Sequence, residues 1–229
     1  MLSEGWWNLD TRLRGYDGMF CLLRRLSVVC WKLAVSPTTL TAQGRVVKME
    51  YMWKKLSSKE IFSHPKVTLL EDEVELPNGT HSTYLYVKHS VDGATVICRR
   101  PDGRILVQRE YSYPTDEHLY QFPGGLLLPD ESVDIGGNRE LMEEAGYRAG
   151  KLTALGDYYY DHRKQKGRMF VFLGEDLEEA KLPGDPEEEG AIESFWFTEE
   201  EIENLIRNGE IENSRFLSAW CLYTVQNSK

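Results

Sequence analysis

Residues 125–147 read GLLLPDESVDIGGNRELMEEAGY and join a glycine-rich start to an acidic second half. The residues 122–125, FPGG, predict a loop, because glycine and proline interrupt regular structure. Ser132 or Asp130 can cap a helix that begins after this loop. Gly146 is suited to end the helix, because glycine adopts the left-handed conformation of a C-terminal cap. The pattern therefore predicts a loop followed by one helix.

Three glutamates of this predicted helix, Glu140, Glu143 and Glu144, stand at i, i+3 and i+4 and share one face. Carboxylates about 4 Å apart repel by roughly 4 kcal/mol at an effective dielectric near 20. A divalent cation relieves this repulsion, and carboxylates with waters and substrate phosphate are the usual ligands of magnesium. The alternative is a solvated acidic face, because exposed like-charge pairs cost only about 0.3 kcal/mol.

The spacing Gly-x5-Glu-x7-Arg-Glu-Leu-x-Glu-Glu-x-Gly-Tyr in residues 125–147 resembles the Nudix box at every defining position. Weaker similarity to the ADP-ribose and nucleotide-sugar pyrophosphatase branch extends from about residue 67 to the C-terminus. The resemblance implies an α/β (α+β) fold. This fold is a Nudix-type α/β/α sandwich with a mixed sheet, plus a small N-terminal antiparallel β hairpin region.

The same resemblance implies a hydrolase that uses Mg²⁺, with Mn²⁺ as the alternative ion. Such an enzyme cleaves the pyrophosphate bond of a nucleoside diphosphate linked to another moiety, such as ADP-ribose. Its products are a nucleoside monophosphate and a phosphorylated compound. The alternative function is a non-catalytic, nucleotide-sensing Nudix module. Such modules often lose box glutamates, and this chain keeps all of them.

By match to the family, Glu140 and Glu144 are expected to bind the metal directly. Glu143 is expected either to bind the metal or to support its ligands, and Glu143 and Glu144 are the catalytic candidates within the box. The carbonyl of Gly124 matches a backbone metal ligand of the family.

Arg139 and Glu131 are expected to support the site. Arg139 lies about 100° around the helix from Glu140, and the family uses this arginine to brace the loop and the glutamates. Glu131 is its natural partner. Gly136 and Gly137 replace small alanines of the family and cost about 1 kcal/mol each within a helix. Close packing on the sheet or a late helix start explains them.

A second acidic run lies in residues 181–190, KLPGDPEEEG. In the resembled branch, a glutamate of this loop binds metal or activates water. Glu188 and Glu189 are the nearest matches and are therefore further catalytic candidates. An ordinary solvated charge run is an equally good interpretation.

Three residues are candidates for substrate binding. Tyr84 lies where the branch stacks an aromatic ring on the base, and Arg109 and Lys88 are candidate phosphate contacts. Packing in the core and ordinary surface positions are the alternatives for these side chains. Ser112 replaces an arginine of the branch. The proline that ADP-ribose pyrophosphatases carry about fifteen residues beyond the box is also absent, which weakens a specific ADP-ribose assignment.

The chain divides into three predicted parts. Residues 1–48 are predicted to be a non-functional or disordered extension; the alternatives are a basic membrane-surface helix at residues 19–35 and a translation start at Met49 or Met52. Residues 49–89 are an N-terminal β region for dimer and substrate contacts, and residues 90–229 are the Nudix domain. Strands are predicted at residues 67–76, 83–88, 94–99, 104–108, 152–160, 168–173 and 192–197, and two further helices at residues 199–208 and 214–225.

The net charge of −10 argues against nonspecific nucleic-acid binding. No apolar run reaches the eighteen or so residues needed to span a bilayer, so membrane insertion is not expected. The cysteines show no metal-binding or disulfide spacing, which favours a reducing, cytoplasmic location. They are Cys21, Cys30, Cys98 and Cys221. The family resemblance implies a homodimer acting on a nucleotide-sugar-like small molecule.

Overall fold

A computed structural model describes residues 38–40, 46–48, 52–88, 91–184 and 190–227. The chain divides into two compact units, Met1–Met52 and Trp53–Lys229. In the first unit, β1 (Thr38–Leu40) pairs antiparallel with β2 (Val46–Lys48). The predictions for residues 19–35, and for Glu188 and Glu189, concern positions outside the described residues.

In the described residues of the second unit, seven successive strands precede the first helix. In chain order the elements are β3 (Lys54–His64), β4 (Val67–Glu75), β5 (His81–Val87), β6 (Gly93–Cys98), β7 (Ile105–Ser112), β8 (Glu117–Gln121), β9 (Gly124–Leu126), α1 (Val133–Glu140), a π-helical turn (Leu141–Ala145), β10 (Tyr147–Tyr159), β11 (Arg168–Glu179), β12 (Ile192–Phe197), α2 (Glu199–Arg207) and α3 (Ser214–Asn227).

The strands of this unit form three sheets. The N-terminal sheet has the order β3-β4-β5 and is antiparallel. The mixed sheet has the order β10-β11-β6-β9, in which only β11 and β6 run parallel. The third sheet, β12-β7-β8, is antiparallel. This arrangement confirms the predicted mixed sheet and the predicted N-terminal hairpin, which is β4 and β5.

Alternate residues of β6 enter two separate hydrophobic cores, because successive side chains of a strand point to opposite faces. Ile97 packs in a cluster with Phe216 and Trp220 of α3. Val96 belongs to the cluster that contains Leu141 of the π-helical turn. Helical segments therefore cover both faces of the mixed sheet, which confirms the predicted α/β/α sandwich.

The loop prediction for residues 122–125 is wrong at its second half. Gly124 and Gly125 belong to β9 and pair with Thr95 and Ala94 of β6. A Cβ on Gly124 would lie 2.2 Å from the carbonyl oxygen of Ala94. The glycine that indicates a loop in sequence is here the residue that lets two strands approach, because it has no side chain.

Strand β3 is 11 residues long and was not among the predicted strands. Its sequence, KKLSSKEIFSH, lacks the alternation of apolar and polar residues that marks a half-buried strand. Every residue of β3 is exposed. Because neither face of the strand is buried, its sequence needs no alternation of apolar and polar residues. In the part of the chain that the structure describes, no helix is long and apolar enough to cross a membrane.

Candidate active site

The box helix positions the three glutamates. It begins after Ser132, whose side chain makes no capping hydrogen bond, and continues from α1 into the π-helical turn. Gly146 ends it with φ at +72°, as the sequence predicts. Glu143 and Glu144 lie within the π-helical turn, a widened turn that is frequent at functional sites.

Close packing explains the two glycines of α1. A Cβ on Gly137 would lie 3.2 Å from Cγ2 of Val96 in β6, and a Cβ on Gly136 would lie 2.3 Å from Cδ2 of Leu127. The alternative of a late helix start is wrong, because both residues lie inside the helix and are buried. Their small size holds the box helix against the sheet and against the loop that follows β9.

Arg139 joins the acidic residues of the box. Its Nε donates to Glu131 Oε1 at 2.9 Å. Its Nη1 lies 2.9 Å from Glu140 Oε1 and 2.7 Å from Glu143 Oε2. Its Nη2 donates to the carbonyl of Leu126 at 3.1 Å. One guanidinium therefore contacts three carboxylates and the backbone of β9.

These contacts fix the charge states of the central pair. The hydrogen bond from Arg139 lowers the pKa of Glu131 below its ordinary value, although burial opposes this shift. The same hydrogen bond raises the pKa of Arg139, and Glu140 and Glu143 contribute to this increase. Glu131 and Arg139 are therefore both ionised at neutral pH and form a stable charged brace.

Glu140 and Glu144 both reach the glycines of β9. Glu144 Oε2 accepts a hydrogen bond of 3.1 Å from the backbone N–H of Gly124. A Cβ on Gly125 would lie 2.6 Å from Oε1 of Glu140, so this carboxylate lies directly over the glycine backbone. The carboxylates of the box helix and the backbone of β9 therefore form one polar surface.

The chemistry of this surface fits a divalent cation. Carboxylate and carbonyl oxygens are hard donors of the kind that Mg²⁺ and Mn²⁺ prefer. Within residues 52–88, 91–184 and 190–227, however, no three acidic, histidine or cysteine side chains are already gathered as a metal site. Arg139 contacts both Glu140 and Glu143.

The segment that leads to the second acidic run packs on the end of the box helix. Lys181 Nζ donates to the carbonyl of Glu143 at 2.6 Å, and the N–H of Leu182 donates to the carbonyl of Met142 at 3.2 Å. A Cβ on Gly184 would lie 3.5 Å from the carbonyl oxygen of Glu143. The chain therefore passes the box immediately before residues 185–189.

The structure distributes the predicted substrate residues over two sheets. Tyr84, on β5, donates its hydroxyl to the carbonyl of Arg163 at 2.6 Å. Lys88 pairs with Glu60 at 3.3 Å. Arg109, on β7, is exposed and lies 5.8 Å from the ring centre of Tyr120. None of these contacts joins the three residues to the box glutamates.

No substrate contact is predicted in residues 161–167, DHRKQKG, which form a charged loop between β10 and β11. In the structure this loop faces Tyr84 and Tyr86 across a cleft of about 340 Å³. Its concentration of cations in an acidic chain was the available signal. Its proximity to the N-terminal sheet could not be inferred from sequence, because 79 positions separate Tyr84 from Arg163.

Comparison with known proteins identifies the class to which this fold and site belong. The NUDIX domain matches residues 89–220, and the nucleoside diphosphate sugar hydrolase N-terminal domain matches residues 53–87. The chain belongs to the Nudix family. It is a Nudix hydrolase, so the predicted family and the predicted enzyme class are confirmed.

Two relatives and one solved structure are similar to the chain. An ADP-ribose pyrophosphatase of Bacillus subtilis (strain 168) is 28% identical over 162 residues, which cover 71% of this chain and 87% of the relative. The ADP compounds hydrolase NudE of Escherichia coli (strain K12) is 31% identical over 116 residues, covering 51% and 62%. The crystal structure of an ADP compounds hydrolase matches with a TM-score of 0.67 at 24% identity, covering 76% of this chain and 92% of that one.

Proposed function

We propose that this Nudix hydrolase cleaves the pyrophosphate bond of a nucleoside diphosphate linked to another moiety, a nucleotide sugar such as ADP-ribose. The proposed products are a nucleoside monophosphate and a phosphorylated compound, and the proposed ion is Mg²⁺, with Mn²⁺ as the alternative. One observation carries the proposal: Glu140 and Glu144 meet the glycine backbone of β9 beside the Arg139 brace.

Each box residue has a distinct role in this proposal. Glu140, Glu144 and the carbonyl of Gly124 would hold the ion, and Glu143 would bind it or support its ligands. When bound, a divalent cation neutralises phosphate charge and acidifies a water molecule. Arg139 holds β9 and the box helix together through its contacts with Leu126 and the neighbouring carboxylates.

The residue that accepts the proton of the attacking water is also proposed. Glu143 and Glu144 are candidates within the box, and Glu188 and Glu189 are candidates beyond it. The contact of Lys181 with the carbonyl of Glu143 supports the second pair, because it holds the preceding segment beside the box. Glu188 lies only four positions after Gly184, which approaches Glu143.

The substrate class is supported from outside the box. The N-terminal sheet coincides with the matched N-terminal domain of nucleoside diphosphate sugar hydrolases. The two relatives described above are named for ADP-ribose and for ADP compounds. Tyr84, Lys88 and Arg109 are proposed to contact the substrate, with Tyr84 stacking on its base.

The test measures turnover of ADP-ribose, other sugar nucleotides and dinucleotides by the purified chain with Mg²⁺ or Mn²⁺. Glu144→Gln should lower kcat by about 10²- to 10³-fold, because it removes a proposed ligand of the cation that neutralises the developing phosphate charge. Glu200→Gln, on the exposed start of α2, is the matched control and should keep full activity.

The folded state of Glu144→Gln is checked by its thermal unfolding curve. A folded variant that keeps the turnover of the parent would remove Glu144 from the reaction. Failure of the parent to cleave any member of the panel with either ion would overturn the proposed activity itself.

We further propose a homodimer in a reducing, cytoplasmic setting. The N-terminal sheet and Trp53, which precedes it, expose large apolar side chains, and β3 forms one edge of the sheet, which favours association with a second chain. These side chains are Trp53, Leu56, Ile61, Phe62 and Leu85. Cys98 and Cys221 are free thiols, which supports the reducing setting.

A further inference from the structure

A second candidate binding surface lies where the N-terminal sheet meets the loop of residues 161–167, which joins β10 to β11. The cleft at this place has a volume of about 340 Å³, within the range of small-molecule sites. It is lined by Lys55, Asp72, Tyr84, Tyr86 and residues 162–166. It thus combines two phenol rings with several cations, a composition suited to an anionic ring compound.

Backbone contacts hold the loop in place. The carbonyl of Arg163 accepts from the Tyr84 hydroxyl at 2.6 Å, and the carbonyl of Lys164 accepts from the N–H of Val87 at 2.8 Å. The N–H groups of Lys164 and Gln165 both donate to the carbonyl of Asp161, which closes a turn. Because carbonyl groups anchor the loop to β5, the side chains of Arg163 and Lys164 remain available to line the cleft.

The charge of the cleft is positive. Asp72 is only 7% exposed, and its carboxylate pairs with Lys55 at 3.0 Å and accepts from Ser58 at 2.5 Å. The charge of this acid is therefore already balanced. Among residues 52–88, 91–184 and 190–227, no acidic side chain forms an ion pair with Arg163 or Lys164. In a chain with a net charge of −10, these two cations form a local site for an anion.

The loop of residues 161–167 emerges beside residues 127–132, which join β9 to α1. Met169 pairs with Gly93, and Gly93 pairs with Leu126, so β11 begins at the end of the mixed sheet where β9 finishes. Two strand spacings separate them, or about 10 Å. Asp92 bridges the two loops, because its carboxylate accepts from the N–H of Arg168 and its carbonyl from the N–H of Leu127, each at 2.9 Å. A diphosphate bound at the box can therefore extend toward the cleft.

We propose that this cleft binds an additional phosphate group, carried by the substrate outside its scissile diphosphate. Arg163 and Lys164 contact that phosphate, and Tyr84 and Tyr86 pack against the ring system that bears it. The inference rests on the proposed function and deepens it. The preferred substrates are nucleotide derivatives that are phosphorylated a further time, on the ribose of the nucleoside.

Binding without metal tests this inference separately from catalysis. Calorimetry would compare AMP with adenosine 2′,5′-bisphosphate and adenosine 3′,5′-bisphosphate on the full chain. We expect one bisphosphate to bind about tenfold more tightly than AMP, as one hydrogen bond to a charged group provides. Arg163→Ala and Lys164→Ala should each remove most of this preference. Arg148→Ala, at the opposite end of β10, is the matched control and should preserve it.

A second experiment measures hydrolysis of ADP-ribose and of its 2′-phosphate. It distinguishes the proposed hydrolysis from the proposed binding of phosphate in the cleft. If the bisphosphate preference is present but neither compound is cleaved with Mg²⁺ or Mn²⁺, the cleft is supported and the proposed hydrolysis of ADP-ribose fails. If ADP-ribose is cleaved but both bisphosphates bind no better than AMP, the inference about the cleft is wrong. The inference is also wrong if the preference for the bisphosphate remains in both Arg163→Ala and Lys164→Ala.

Discussion

Single residues show how the candidate active site tolerates its concentration of acidic groups. The side chain of Arg139 is only 17% exposed, and those of Glu131 and Glu140 are 9% and 13% exposed. Burying one such charge alone costs several kcal/mol, whereas a paired and hydrogen-bonded charge avoids most of this penalty. Arg139 therefore makes it possible for the helix to present its carboxylates to a shared surface before any cation binds.

Gln108 is the opposite case, a buried polar group without compensation. It is 0% exposed on β7, and among the described residues neither its Nε2 nor its Oε1 has a hydrogen-bond partner. Leaving a buried amide unpaired costs about 1–3 kcal/mol. We expect Gln108→Met, which keeps a similar volume, to raise the free energy of unfolding by about 1 kcal/mol. Urea denaturation measures this change.

Gln121 provides the matched control, because it pairs with Gln108 in the sheet register and its Nε2 donates to Glu110 Oε2 at 2.6 Å. Gln121→Met should therefore lower the free energy of unfolding by about 1 kcal/mol, because it removes the hydrogen bond to Glu110. Equal losses of stability in both variants would show that the Gln108 amide is satisfied in solution.

At the scale of elements, the pairing of β9 with β6 sets the position of the box. Two consecutive glycines bring β9 into the mixed sheet, and the same two residues meet Glu144 and Glu140. Strand β9 and the box helix thus meet at the same two glycines. A change there alters sheet packing and the active-site surface together.

Gly124→Ala tests this dependence. A Cβ at Gly124, which has φ at +150°, would lie 2.2 Å from the Ala94 carbonyl oxygen and 2.6 Å from the Cα of Thr95. Because backbone atoms cannot move aside cheaply, we expect a loss of at least about 3 kcal/mol in the free energy of unfolding. Thermal or urea denaturation measures it.

Gly103→Ala is the control for backbone strain alone. Gly103 has φ at +83°, but no atom lies within 4 Å of the position that its Cβ would occupy. This variant should lose only about 1 kcal/mol. If the two alanine variants are equally stable, the close approach of β9 to β6 does not exist in solution.

At the scale of the whole molecule, the second unit contains both matched domains. These domains cover residues 53–87 and 89–220, and the unit extends over Trp53–Lys229. We keep the proposed division into residues 1–48, 49–89 and 90–229, in which the first part has no role in catalysis.

Deleting residues 1–48 tests this division. We expect the shortened chain to keep kcat/KM within about twofold of the parent, because every proposed catalytic and substrate contact lies beyond the deletion. Light scattering should give a mass of two chains, because the exposed apolar residues of the N-terminal sheet are retained. Loss of turnover would assign a function to the deleted residues, and a monomeric mass would contradict the proposed dimer.

Several parts of this protein follow from local sequence. The end of the box helix at Gly146, the hairpin of β4 and β5, and the helices α2 and α3 were predicted close to their observed positions. Caps, turns and periodic burial act over a few residues, so the sequence displays them directly. The spacing of Glu140, Glu143 and Glu144 likewise placed them on one helix without knowledge of the fold.

Only the tertiary structure decided which distant residues meet. Exposed β3 carries no periodic pattern, and the pairing of Gly124 with Thr95 depends on strands far apart in the chain. The meeting of Tyr84 with the loop of residues 161–167 is of the same kind. Local interactions determine helices and turns, whereas these contacts form only when the whole chain closes, because their free energy comes from partners that no short segment contains.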